Sequence, residues 1–225
     1  MNNTIPVIAI DGPSASGKGT VAQLVAQKLG YHYLDSGALY RIVALAARKQ
    51  DIAWQDADAL ATLAARLDIR FEGGEILLDG ERVTEDVRTE EISRGSSEVA
   101  AHPAVRSALL ELQRAFRKAP GLVADGRDMG SVVFPDAQAK IFLTATAEVR
   151  AERRYKQLME KGIPANISQI VQDLKTRDER DSQRAVAPLQ QYADAQLLET
   201  SHLTIAQAVQ AVLDFQDRAR HLKHF

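Results

Sequence analysis

The run Gly12-Pro-Ser-Ala-Ser-Gly17-Lys18-Gly19-Thr20 limits the possible folds more than any other part of the sequence. Glycines at this spacing let backbone N–H groups converge on a phosphate without side chains in the way. A helix that starts at the same point adds the field of its N-terminal dipole. The flanks agree with this reading. Val7-Ile-Ala-Ile10 is apolar without alternation, as in a strand buried on both faces. After the loop, Val21, Leu24, Val25 and Leu29 share one helical face, and Gly30 ends the helix. Strand, glycine loop and helix in this order open a βαβ sheet, so an α/β fold is expected.

Further strands are expected at Tyr33-Leu34, Leu122-Val-Ala124, Ile141-Phe-Leu143 and Ala195 to Leu198. Thr204-Ile-Ala-Gln207 reads as a capping box for a terminal helix carrying Ile205, Val209, Val212 and Phe215. One stretch breaks the rhythm. Ile69-Arg-Phe71, Ile76-Leu-Leu78 and Arg82-Val83 are β-prone and separated by Gly73-Gly74 and Asp79-Gly80, both tight-hairpin signals. An antiparallel meander inside a parallel chain points to an inserted subdomain.

Within the loop, Lys18 is placed to reach β/γ-phosphates, and a hydroxyl in the first helical turn to face Mg²⁺. Gly19 occupies the usual hydroxyl position, so either Thr20 or Ser16 is left to meet the metal. Asp125 is either a magnesium partner or a strand-ending aspartate. A second anion site is needed to make a phosphotransferase of a triphosphate binder, and three segments offer one. Asp35-Ser-Gly-Ala-Leu-Tyr40-Arg41 opens a helix after a strand, Asp125-Gly-Arg127-Asp128 follows another, and Arg177, Arg180 and Arg184 lie in a charged helix running from Thr176 to Arg184. The chain has 19 Arg against 9 Lys, a bias that suits bidentate phosphate contacts. A net charge of −2 argues against a polyanion as the main partner, and the absence of cysteine excludes disulfides and thiol chemistry.

The GPSASGKGT loop, LDSGALYR, ADGRDMGSVVFPDA and RAVAPL, in this order, resemble bacterial cytidylate kinases along nearly the whole chain. The G-K-G-T variant itself resembles the adenylate-kinase-like branch of P-loop proteins. The resemblance implies a P-loop NTPase fold with a five-stranded parallel sheet flanked by helices, in one domain of 225 residues. Its core would be 1–34 and 107–225, its inserted monophosphate-binding subdomain about 35–106, and its short lid about 151–163. It implies transfer of the γ-phosphate of ATP to CMP or dCMP. Gly12 to Thr20 would bind ATP, with Pro13, Ser14, Ala15, Ser16, Gly17, Lys18 and Gly19 between them. Arg41, Arg127 and Arg184 would hold the acceptor phosphate. Ser36, Ser97, Arg106 and Asp128 would line the pyrimidine pocket, and Arg177 and Asp181 would sit near the sugar. Lys18, Arg127 and Arg184 would carry the catalytic charge, with Mg²⁺ as cofactor.

The residue types leave other placements open. Ser97 fits a pocket or a helix surface. Arg150, Arg153 and Arg154 fit a solvated face, while a lid needs one cation from Arg153 or Arg154. Tyr40 is expected to be part packing and part rim. The five histidines show no ligand spacing, and His221 and His224 are expected to be exposed. With no leader-like segment and no apolar run of about 20 residues, a cytoplasmic enzyme is expected. Small nucleotides are its expected partners, in a monomer without nucleic acid or membrane.

Overall fold

The computed structural model describes residues 5–72 and 75–222. By contacts the chain divides into two compact units, Met1–Leu34 with Phe116–Phe225, and Asp35–Ala115.

The first unit is built on a five-stranded parallel sheet. In chain order, β1 is Val7–Asp11, helix α1 Lys18–Leu29 and β2 His32–Asp35. The second unit then supplies α2 (Ser36–Lys49), α3 (Ala57–Ala64), β3 (Ile69–Glu72), β4 (Glu75–Leu78), β5 (Glu81–Arg82), α4 (Glu90–Val99) and α5 (Pro103–Arg114). The chain returns through β6 (Leu122–Gly126), β7 (Ala139–Thr144), α6 (Ala147–Glu160), α7 (Ile167–Ser182), β8 (Gln196–Glu199) and α8 (Ile205–Leu222). The strand order β2-β6-β1-β7-β8 puts β1 at the centre, where both faces of all five of its residues are covered. That burial explains its unbroken apolar run. β1 pairs in parallel with β6 from Val7↔Leu122 to Asp11↔Gly126, and with β7 on its other side. The loops after β1 and β6 therefore start side by side, at the strand ends where open α/β sheets bind ligands.

On one face of the sheet, Val21, Ala22, Val25 and Ala26 of α1 and Ala208, Val209 and Val212 of α8 pack against Ile8, Ile10, Val123, Ile141 and Leu143. Burying each large aliphatic side chain contributes about 1.5–3 kcal/mol. Thr204 and Gln207 make the expected reciprocal capping box, Thr204 N–H to Gln207 Oε1 at 2.9 Å and Gln207 N–H to Thr204 Oγ1 at 3.3 Å. Ile205 does not join the buried face: it is 55% exposed, because α8 meets the core only from Ala208 onward.

Two other boundaries differ from the sequence reading. β6 runs on through Gly126, so Asp125 is a strand residue paired with Ile10 rather than a loop residue. α7 stops at Ser182, with Gln183 as its C-cap, so Arg184 lies beyond the helix. The chain turns back there, and Leu189 N–H donates to the Asp181 carbonyl at 2.8 Å.

In the second unit, β3, β4 and β5 form the antiparallel meander. Asp79 and Gly80 both have positive φ (50° and 84°), as a type I′ hairpin turn requires. Gly73 and Gly74 lie outside the described residues. Asp35 caps α2 by accepting from Ala38 N–H at 3.0 Å. No described helix is long and apolar enough to cross a membrane.

Candidate active site

Gly12 shows why the loop needs glycine. A Cβ there would sit 2.0 Å from the Leu143 carbonyl oxygen of β7. The loop stays close to β6, since Gly12 N–H donates to the Gly126 carbonyl at 3.3 Å. Lys18 heads α1 and its Nζ lies 3.4 Å from the Pro13 carbonyl, folded over the loop. Ser16 is 1% exposed and its Oγ has no hydrogen-bond partner, whereas Thr20 is exposed. A Cβ on Gly19 would lie 3.9 and 4.0 Å from the two carboxylate oxygens of Asp125 and 3.6 Å from the Tyr33 hydroxyl. That hydroxyl donates to Asp125 at 2.7 Å. The bare glycine thus leaves room between the head of α1 and a carboxylate.

Beside the loop lies a buried cluster of charge. Arg127 Nη2 donates to Ser14 Oγ of the loop at 2.8 Å, and its Nε donates to Asp181 at 2.7 Å. Arg184 donates to the other Asp181 oxygen. The side chains of Asp181, Arg184 and Arg127 are 1%, 5% and 15% exposed. Burial works to raise the Asp181 carboxyl, but Arg127, Arg184 and Arg177 together hold it below the usual carboxylate range. For Arg127, burial would weaken the charged form, and the Asp181 carboxylate more than offsets it. Lys18's loop, Ser14, Arg127, Asp181 and Arg184 are thereby brought together in one unit, with two guanidiniums sharing a single carboxylate. Asp128, next to Arg127, is also buried.

α6 also serves the loop. Arg150 donates to the Ser14 carbonyl at 3.1 Å and pairs with Asp178 at 2.7 Å. Arg153 donates to the Ser16 carbonyl at 2.8 Å and to the Thr200 carbonyl at 2.7 Å. Neither is a solvated face residue. Arg154 donates to Gln157 on its own helix at 3.4 Å.

The remaining candidates belong to the second unit. Arg41 pairs with Asp35 at 2.6 Å, and its Nε is buried without a partner. Ser36 is buried at the head of α2. Ser97 is 3% exposed rather than on the surface of α4, and its Oγ has no partner. Arg106 is buried, donates to the Ala100 carbonyl at 3.2 Å and lies 5.5 Å from the centre of the Tyr40 ring. Tyr40 is buried, so it is packing rather than rim.

A buried, partnerless hydroxyl in a phosphate loop, next to arginines that share a carboxylate, fits a phosphotransferase. A family model described as cytidylate kinase matches residues 8–218. The chain belongs to the cytidylate kinase family. It is 59% identical to a cytidylate kinase of Chromobacterium violaceum over 98% of this chain and 100% of that one. It is 60% identical to a cytidylate kinase of Polynucleobacter asymbioticus over 96% and 99%. Among solved structures, a gluconokinase from Sinorhizobium meliloti 1021 shares the fold, with a TM-score of 0.51 at 16% identity over 98% of this chain and 97% of that one.

Around the loop, sequence reasoning did not single out Asp11 or Thr200, and it read Arg150 as a solvated face residue. Asp11 accepts two backbone bonds from the turn after Asp128; its only signal was a charged residue ending an apolar strand. Arg150 was masked by its acidic neighbours, and Thr200 by a strand end without a motif. His32 and His102 each bond a backbone carbonyl through Nε2, of Ala119 and Trp54. The side chain of His221 and all of His224 lie outside the described residues. Among the described residues no cluster of His, Asp or Glu could hold a metal by protein ligands alone.

Proposed function

We propose that this chain transfers the γ-phosphoryl group of ATP to CMP or dCMP, giving ADP and CDP or dCDP. The observation that carries the reading is the bond from Arg127 to Ser14. It joins the loop that cradles the donor to a cluster of arginines suited to an acceptor phosphate. Arg127 and Arg184, with Arg41, hold that phosphate, while Arg177 and Asp181 contact the sugar. Its oxygen is already anionic, so it attacks the γ-phosphorus in line without a protein base or nucleophile. Lys18 and the amides of Gly12 to Thr20 draw off the charge that spreads over the transferring group, and Arg127 and Arg184 do the same from the acceptor side.

The residues present fit Mg²⁺ held chiefly by the nucleotide. Ser16 Oγ and the Asp125 carboxylate would hold it directly or through water, with Thr20 the remaining hydroxyl. Bound there, Mg²⁺ would neutralise the charge that develops on the phosphates. Arg153 is engaged by the loop, so the lid cation is assigned to Arg154, in the part of the expected 151–163 lid that lies beyond Arg153. In base selection Arg106 can only donate and an ionised Asp128 can only accept, while Ser97 does either and Ser36 adds a hydroxyl. Cytosine offers an acceptor at N3 and a donor amine at C4; uracil offers the reverse. A cytoplasmic location suits an enzyme whose two substrates are small nucleotides.

A coupled assay of ADP release with CMP, dCMP, UMP, AMP and GMP tests the proposal. CMP or dCMP should give the highest kcat/KM. Preference for a purine, or ATP consumption that ignores the acceptor, would overturn it.

A further inference from the structure

Asp11 ends β1 one residue before the phosphate loop, and it is buried. Its two carboxylate oxygens each accept one backbone bond: Oδ1 from Met129 N–H at 2.8 Å, Oδ2 from Gly130 N–H at 2.9 Å. These amides open the π-helical turn Met129–Val133 that begins directly after Asp128. The first amides of any helical turn lack partners within it, and a carboxylate is well suited to supply them. The Asp128 carbonyl in turn accepts from Val132 N–H at 2.9 Å and Val133 N–H at 3.2 Å. The backbone that aims the Asp128 side chain is therefore pinned by the turn behind it, and the turn is pinned by Asp11.

We infer that Asp11 is a positioning residue for base selection, which fixes the direction in which the Asp128 carboxylate meets the pyrimidine. The inference rests on the reading that Asp128 accepts from the cytosine amine. Asp11 touches no substrate; it acts through the backbone of residues 129 and 130. Its own surroundings make it responsive to pH. Burial pushes the carboxyl up to about 7, against the lowering effect of the Gly130 and Met129 bonds; Asp128 adds to the rise and Lys18 opposes it. On another side Asp11 and Gly130 line a small cavity with Lys140, Tyr192 and Asp194, where Lys140 is paired to Asp194. A proton on Asp11 converts one accepting oxygen into a donor facing an N–H, so one of the two bonds is lost and the turn loosens.

The test is the ratio of kcat/KM for CMP to that for UMP, measured from about pH 5.5 to 8.5, a range in which the shared nucleotide phosphate also titrates. Taking the ratio cancels that shared ionisation. In the wild type the ratio should rise as pH passes the Asp11 value, by about tenfold, the effect of one hydrogen bond to a charged group. Asp11→Asn keeps one acceptor and turns an amide N–H₂ toward the other backbone N–H. It should hold the ratio at its low-pH level at every pH. Its KM for CMP should rise about tenfold while its KM for ATP stays within about twofold. A flat wild-type ratio, or an Asp11→Asn enzyme with the wild-type ratio and profile, overturns the inference. The wild-type profile decides even if the variant fails to fold. Asp128→Asn separates the two claims. If it leaves the ratio intact, the reading of Asp128 is wrong; if it collapses the ratio while Asp11→Asn does not, only the role of Asp11 is wrong.

Discussion

Removing Asp181 would test whether the arginine cluster is built for an anion. Arg127 and Arg184 both donate to this carboxylate, in a place where all three side chains are largely shielded from water. Deleting one member of a buried ion pair costs about 3–5 kcal/mol, because the partner charge stays buried. Arg127 keeps its bonds to Ser14 Oγ and the Gly126 carbonyl, so Asp181→Ala should fall near the lower end, about 3 kcal/mol. For a chain of this length that lowers Tm by about 6–12 °C. The two guanidiniums would then lack a shared counter-ion that a phosphate can replace. Inorganic phosphate or CMP should therefore raise the variant's Tm by more than the wild type's.

The same variant has a signature in pH. The folded-state pKa of Asp181 lies below its ordinary value of 3.8, so its contribution is fully present above that value and is lost as pH falls through the folded one. The gap in stability between wild type and Asp181→Ala should be full at neutral pH and shrink only in the acid range below about pH 4. Circular-dichroism melts with and without phosphate measure both effects. A loss under about 1 kcal/mol, or an equal phosphate effect on both proteins, would refute the reasoning.

Three more outcomes are expected. Lys18→Ala should lower kcat by several hundred-fold, about 3–4 kcal/mol of lost transition-state stabilisation, with an unchanged melt, as stopped-time ADP assays would show. Arg41→Ala should raise KM for CMP about tenfold or more and leave ATP affinity within about twofold by titration, while Asp35 goes on capping α2. Arg106→Met should narrow the ratio of CMP to UMP use by about tenfold or more, chiefly by loss of CMP, because methionine cannot donate to N3.

Much of the fold was legible because its signals are local. The five strands of the parallel sheet, the phosphate loop and the Thr204–Gln207 capping box depend on residues within a few positions of each other. What sequence missed depends on pairing between distant segments. Asp125 reads as a loop residue until β6 is paired with β1, and Arg184 reads as helical until Leu189 turns back onto Asp181. The burial of Ser97 and Tyr40 and the exposure of Ile205 likewise follow from packing that no spacing encodes. Lys18, Arg127 and Asp128 sit in short motifs and could be named directly, whereas Asp11 and Arg150 act on backbone groups, which leave no mark on residue type.

Those backbone contacts explain why a helix expected to be solvated carries a buried arginine, Arg150, and a half-buried one, Arg153. A phosphate loop turns its amides toward the ligand, so its carbonyls must face away and find donors elsewhere. The carbonyls of Ser14 and Ser16 find them in Arg150 and Arg153. Lysine could supply the charge but not the paired donors with which Arg153 also holds Thr200. The N-terminal half of α6 is thus part of the wall of the loop, and an element that must move over the phosphates has to begin beyond Arg153.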